Sequence, residues 1–239
     1  KNRLSILEKN KKFFFKKLDI KNKKKLLTFC SKKKIKVIVH LAAQAGVRYS
    51  IQDPESYVRN NIIGFFNILE CSRYNKIDHL LFASTSSIYG NNNDFPLKEN
   101  LKTDEPLSFY ASTKKSNEVM AYSFSNIYNL PCTALRFFTV YGPYGRPDMA
   151  LFKFTKKILD NQAIDLYNKG DHFRDFTYVD DIVEGIYKIF SKPPKKTIPY
   201  DIFNIGRGKS ENLIKLIKIL EKELSSKVKF NFLPLQIGD

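Results

Sequence analysis

Short apolar runs alternate along this chain with segments of helical periodicity, and that alternation confines it to an α/β fold with a parallel sheet and crossover helices. The runs Ile35 to Leu41, Leu80 to Ala83, Pro131 to Phe138 and Asp201 to Ile205 read as strands, and residues 21–33, 54–74, 108–128 and 211–224 as helices. Asp53-Pro54 supplies a cap and a first-turn proline for the second of these helices. Phe13-Phe14-Phe15 reads as a further short strand ending before Asp19, while 149–159 and 180–190 read as helices and 164–167 and 175–178 as strands. Asp180 and Asp181 read as the cap and first-turn acid of their helix, and the apolar stripe from Leu213 to Leu220 as core packing.

In open parallel sheets ligands bind beyond the carboxyl ends of the strands. Each polar cluster of this chain falls at such an end: Ala42-Ala43-Gln44-Ala45-Gly46-Val47-Arg48, Ser84-Thr85-Ser86-Ser87-Ile88-Tyr89-Gly90, and Phe138-Thr139-Val140-Tyr141-Gly142-Pro143. Tyr110 and Lys114 then stand one helical turn apart and share a helix face. An ammonium so placed is expected to lower the phenol's pKa from near 10 and fit it for general-base work. The spacing alone is weak, because a chain this rich in Lys and Tyr yields about two such pairs by chance.

Cys30, Cys71 and Cys132 are widely separated and odd in number, and His40, His79 and His172 are not clustered at ligand spacing, so neither a disulfide framework nor a zinc site is expected. Any redox chemistry must then rest on an organic cofactor. No apolar run reaches the length of a membrane span, which points to a cytoplasmic protein. The 41 basic residues outweigh 24 acidic ones, giving a formal charge of +17, much of it in the first 36 residues. Only eight of the basic residues are Arg, the better group for bidentate recognition, so solvated lysine-coated faces explain the charge better than a nucleic-acid surface.

Taken together, His40 to Ser50, Asn61-Ile62-Ile63-Gly64, Ser84 to Gly90, Tyr110 to Lys114, Leu135 to Pro143, Gly145 to Ala150 and Arg174 to Asp181 resemble the extended short-chain dehydrogenase/reductase family, and within it the NAD-dependent nucleotide-sugar epimerases. The resemblance spans essentially the whole chain. It implies a Rossmann-like doubly wound sheet over residues 1–142 and a smaller nucleotide-sugar lobe over 143–239, with 175–190 and 200–206 able to return to the main sheet. The family's opening strand and glycine loop, which hold the dinucleotide pyrophosphate, have no counterpart in these residues. The chain is therefore expected to be a fragment of a longer gene product, shortened at both ends and lacking the first strands of the sheet.

The resemblance implies NAD as cofactor, a UDP-sugar as substrate, a homodimer paired through the helices at 54–74 and 108–128, and no membrane or nucleic-acid partner. It implies C4 epimerisation through a transient 4-keto sugar, with Tyr110 as base, Lys114 on the nicotinamide ribose and Thr85 sharing the hydrogen bond to the 4-hydroxyl. Asp19, Ile20, Leu41, Ala42, Ala43, Gln44, Asn61 and Phe137 would join Tyr110 and Lys114 around NAD. Ser86, Ser87, Thr139, Arg146, Arg174 and Arg48 would line the sugar nucleotide. Ser86 and Ser87 stand where related dehydratases or decarboxylases place carboxylates, and serine cannot hold that charge. Thr139 with Gly145-Arg146-Pro147-Asp148-Met149 is similar to UDP-glucuronate 4-epimerases, a guanidinium being matched to a uronate.

Simpler readings stand beside these. Asp19 suits a turn, Arg48 a loop brace, Arg146 a surface ion pair and His40 a core position. The rivals to a UDP-glucuronate epimerase producing UDP-galacturonate for surface polysaccharide are a UDP-glucose 4-epimerase, another dehydratase or decarboxylase of the family, and an inactive or RNA-associated relative.

Overall fold

The computed structural model describes residues 2–92 and 94–234, so the last stretch of the expected sugar lobe, 235–239, lies outside the described residues. Its elements in chain order are α1 (Asn2–Leu7), α2 (Lys23–Lys33), β1 (Val37–His40), α3 (Tyr49–Gln52), α4 (Pro54–Tyr57), a π-helical turn (Val58–Ile63), α5 (Gly64–Tyr74), β2 (His79–Thr85), a 3-10 turn (Ser86–Tyr89) and α6 (Phe109–Tyr128). There follow β3 (Cys132–Phe137), β4 (Thr139–Tyr141), α7 (Ala150–Leu159), β5 (Ile164–Tyr167), a 3-10 turn (Asn168–Gly170), β6 (Phe173–Tyr178), α8 (Val179–Phe190), β7 (Tyr200–Ile205), β8 (Ser210–Asn212), α9 (Leu213–Glu223) and β9 (Phe230–Leu233).

Four strands form the main sheet in the order β1-β2-β3-β7, all parallel. Parallel strands need crossovers and are buried on both sides, and β2 and β3 accordingly carry near-continuous apolar runs. Leu80, Leu81, Phe82, Ala134 and Leu135 are completely buried. Phe65 of α5 packs on Phe82 with ring centroids 4.9 Å apart, and Leu26 and Cys30 of α2 close the same core. Burying an aromatic side chain of this kind contributes about 2–3 kcal/mol. The second part has its own core, where Ile158 of α7 and Ile217 and Leu220 of α9 meet Ile164 and Leu166 of β5. Here β4-β6-β8 and β5-β9 make two small sheets.

Helix starts follow their capping residues. Asn22 accepts from the Lys25 amide at 3.1 Å, Asp53 from Ser56 at 3.1 Å and Ser108 from Ala111 at 3.2 Å, each satisfying a donor left open in a first turn. Gly64 lets Ile20, just ahead of α2, pack closely on the start of α5, since a Cβ there would lie 2.6 Å from Ile20 Cδ1.

Several expectations need correction. Phe13-Phe14-Phe15 is not a strand; Phe14 is 61% exposed and instead stacks on Phe29 with Lys33 over its face. A strand requires a paired neighbour, and among the described residues β1 pairs with β2 alone. The helix expected at 54–74 is broken by the π-helical turn, and Asp180 lies in the first turn of α8 rather than at its cap, which is Tyr178, while Asp181 is the first-turn acid expected. Ser84 and Thr85 belong to β2 itself, not to the loop after it.

Candidate active site

The buried face of α6 is unusual, since it carries Lys114 and Glu118, exposed by only 3% each, among small residues. Charged side chains are seldom so buried unless a specific partner holds them. Lys114 Nζ donates to the carbonyl of Ala83 on β2 at 2.9 Å. Burial pushes its pKa down to about 8. An ammonium has three donors, and one is used among the described residues.

Tyr110, one turn earlier, stands at the end of β2, where the Thr85 hydroxyl eases its ionisation. Thr85 also accepts from the Ser87 amide at 3.2 Å and donates to Ser87 Oγ at 3.2 Å, so the 3-10 turn at Ser86 and Ser87 is capped by the threonine that meets the phenol. The tuning differs from the expected one. Burial raises the Tyr110 pKa, and the groups that pull it back are Thr85 and the positive charge of Arg146, not Lys114. The reason is geometric: the Lys114 ammonium is turned onto a strand carbonyl.

Beyond β1 the loop carrying Leu41, Ala42 and Ala43 lies exposed at the sheet edge, Leu41 by 54%. Gln44 is fixed by Asn61, whose Oδ1 accepts from the Gln44 amide at 2.8 Å and whose Nδ2 donates to the Gln44 carbonyl at 3.0 Å and to Thr113 Oγ1 at 3.0 Å. Asn61 is 1% exposed and sits within the π-helical turn, a local widening often found near functional sites. Its amide is thus spent on the loop. Tyr57, wholly buried, donates to the Gly46 carbonyl at 2.5 Å and presents its ring edge to Tyr110 at 6.1 Å. Gly46 adopts φ +111°, a conformation that L side chains rarely take, and a Cβ there would lie 3.4 Å from an Arg146 guanidinium nitrogen.

Arg146 reaches this centre from the second part of the chain. Asp148 holds its Nε (3.0 Å) and one terminal nitrogen in a two-pronged ion pair that keeps the Asp148 carboxyl below the usual range. Thr139 of β4 lines the shallow cavity that Arg146 borders, with Met149, Phe152 and Phe176. Arg48 stacks on the ring of Tyr167 at 5.2 Å, joining the loop after β1 to β5. Arg174 stands on β6 opposite Glu211 of β8 and donates to the Phe173 carbonyl at 2.9 Å.

The remaining expected cofactor residues are dispersed. Asp19 accepts from the Lys21 amide at 2.9 Å in a tight turn, and Ile20 packs on Gly64. Phe137 ends β3 beside Thr85 and Ile205. The structure therefore gathers Tyr110, Thr85, Ser87 and Arg146, with Lys114 one turn below, and holds Asp19 and Ile20 in the turn ahead of α2. Tyr57 and Glu118 escaped the sequence reading, and Ser84 and Asp148 entered it only as members of their motifs, without a role.

His40 is buried at 5% exposure beside Phe65, as a core histidine should be. Burial first, and the Lys114 charge second, lower its pKa to about 3. The unfolded chain, with its ordinary value of 6.5, therefore binds a proton that the folded chain refuses between about 3 and 6.5. Stability due to this group rises with pH through that window and is lost on acidification, by at most about 1.4 kcal/mol per pH unit. Urea unfolding of His40→Phe at pH 5.0 and 6.5 is expected to show a smaller stability difference than the parent; an equal difference would refute the assignment.

Among the described residues no group of His, Cys, Asp and Glu could hold a metal, and no helix is long and apolar enough to cross a membrane. A parallel sheet whose strand ends gather a tyrosine and a threonine above a sealed lysine defines a Rossmann-like protein of the short-chain dehydrogenase/reductase kind. The chain belongs to the NAD dependent epimerase/dehydratase family, which residues 2–206 match. It is 49% identical to Protein CapI of Staphylococcus aureus over 95% of this chain and 72% of that one. It is 45% identical to a probable UDP-glucuronate 4-epimerase of Rhizobium meliloti over 85% of this chain and 64% of that one. The UDP-glucuronic acid 4-epimerase of Bacillus cereus, solved with UDP-glucuronic acid and NAD, superposes with a TM-score of 0.92 at 35% identity, covering all of this chain and 74% of that one.

Proposed function

We propose that this protein epimerises UDP-glucuronate at C4, giving UDP-galacturonate, with Tyr110 as the base. The observation that carries the reading is that an Arg146 guanidinium nitrogen lies over Gly46 beside the Tyr57 hydroxyl, and the Tyr57 ring meets that of Tyr110 at 6.1 Å. In a hexuronate the carboxylate is borne by C5, the neighbour of C4, so a receptor for it must stand close to the group that handles the 4-hydroxyl proton. Asp148 occupies the Nε side of the guanidinium and leaves the other terminal nitrogen to a ligand, in keeping with the five donors of an arginine. The relatives named for UDP-glucuronate support the same substrate.

The residues present fit the nicotinamide-ribose end of NAD. Lys114 is a nearly buried ammonium with two donors unused among the described residues, suited to a vicinal diol, and Ala42 and Ala43 beyond β1 are small and exposed. NAD, when bound, supplies the two-electron acceptor that C4 requires and later returns the pair. Tyr110 as phenolate takes the proton of the 4-hydroxyl and gives it back to the same oxygen once the sugar has presented its other face. Thr85 steadies that oxygen, and Thr85 and Arg146 favour the phenolate against the burial that opposes it. Ser86 and Ser87 offer hydrogen bonds to the sugar without a second titrating group. Glu118, whose carboxylate is sealed against Arg136, is in no position to act as one.

Residues 1–142 would then hold NAD, with Asp19, Ile20, Leu41, Gln44, Asn61 and Phe137 shaping its bed, and 143–239 would hold the sugar nucleotide through Thr139, Arg146, Arg174 and Arg48. The exposed apolar residues Phe66 of α5 and Val119, Tyr122 and Ile127 of α6 suit pairing of two copies. The test is incubation of the NAD-loaded gene product with UDP-glucuronate and, separately, UDP-glucose, with products resolved by chromatography. UDP-galacturonate is expected from the first; turnover of the neutral sugar alone would overturn the role given to Arg146.

A further inference from the structure

Helix α6 meets the end of β2 at three successive turns. Tyr110 faces Thr85, Lys114 Nζ binds the Ala83 carbonyl at 2.9 Å, and Glu118 Oε1 accepts from Ser84 Oγ at 2.6 Å. Two consecutive strand residues, Ala83 and Ser84, are thus tied to residues 114 and 118 of one helix, and the next, Thr85, is the hydroxyl that eases ionisation of Tyr110. The tie to Ser84 has a rigid support. Arg136 of β3, 2% exposed, donates from Nε to Glu118 Oε1 at 3.0 Å and from a terminal nitrogen to Oε2 at 2.9 Å. Its remaining nitrogen donates to Tyr89 Oη at 2.8 Å and to the Glu99 carbonyl at 3.0 Å.

A buried ion pair is a poor way to hold a core together. Desolvating both charges offsets their attraction, and apolar residues of similar volume often serve stability as well or better. What such residues cannot supply is a fixed, directed acceptor for Ser84. A strand end is the least restrained part of a parallel sheet, and reacting groups displaced by about 1 Å can lose about 100-fold in rate. We infer that Glu118, immobilised by Arg136, is a positioning residue that acts through Ser84 to hold the Thr85 hydroxyl and the Ala83 carbonyl in register with Tyr110 and Lys114.

The inference rests on the epimerase reading for its kinetic readout alone; its second readout, the reactivity of Lys114, needs neither sugar nor turnover. Ser84→Ala cuts the tie and leaves the Arg136–Glu118 pair intact. Its melting temperature is expected to fall by only about 2–4 °C, as for the loss of one hydrogen bond in a domain of this size. We expect kcat for UDP-glucuronate to drop about tenfold with KM unchanged, the signature of an interaction that matters in the transition state. Acetylation of Lys114, followed by peptide mass spectrometry and referred to exposed Lys32, should accelerate severalfold as its strand acceptor loosens.

The double variant Glu118→Leu/Arg136→Met is the second arm, expected to show the same kcat loss and the same rise in Lys114 acetylation. Unchanged kcat and unchanged Lys114 acetylation in whichever variant folds would overturn the inference. Failure of both variants to fold would also overturn it, by making the network a stability element. A parent protein that turns over no UDP-sugar would sink the epimerase reading, and the acetylation rates would still decide whether the anchor exists.

Discussion

Tyr110→Phe is expected to reduce kcat on UDP-glucuronate by about 10²–10⁴-fold while leaving the melting temperature nearly unchanged. That range is the usual contribution of a positioned general acid–base group. Burial already works against ionisation of this phenol, so the parent's rate should rise with pH as the phenolate forms, and the residual rate of the Phe variant should lack that limb. The ring's edge contact with Tyr57 at 6.1 Å survives the substitution, which is why the loss should appear in kcat rather than in stability. A pH series of kcat on both proteins checks this. If the variant retained most of the parent's rate, Tyr110 would not be the base, and Tyr57, the other phenol at this site, would become the candidate.

The parts of this site that depend on local geometry were legible in the sequence. A spacing of four fixes which helix face two side chains share, so Tyr110 and Lys114 could be paired without a structure, and the polar runs after apolar stretches marked the strand ends. What each side chain touches depended on packing. Nothing near Lys114 in sequence says that its ammonium will bind Ala83, 31 residues earlier, rather than the phenol one turn away. Asn61 was equally opaque, because its reach to Gln44 is created by a π-helical turn where unbroken α-helix was expected. The three-residue strands β4 and β8 were missed since segments so short carry no period. Phe13-Phe14-Phe15 had strand composition without a partner, and pairing, not composition, decides.

Arg146→Gln should separate the substrates. A guanidinium that binds a carboxylate makes charge-assisted bonds worth about 1.5–3 kcal/mol each, so kcat/KM for UDP-glucuronate is expected to fall by roughly 10²–10³-fold, while turnover of UDP-glucose, which has no carboxylate to lose, should fall only by the smaller share that Arg146 contributes through the phenol. Part of the loss with the uronate should fall on kcat, because Arg146 is also one of the two groups that ease ionisation of Tyr110. The amide leaves Asp148 without its cationic partner, but Arg146 and Asp148 are about half exposed, at 45% and 53%, and an exposed ion pair contributes at most about 1 kcal/mol to stability. A change in melting temperature therefore cannot account for a large kinetic effect. Steady-state kinetics with the two UDP-sugars decides the matter: equal losses on both would mean that Arg146 serves the phenol alone, and the preference for a uronate would then have to come from Thr139 or from elsewhere in the lobe.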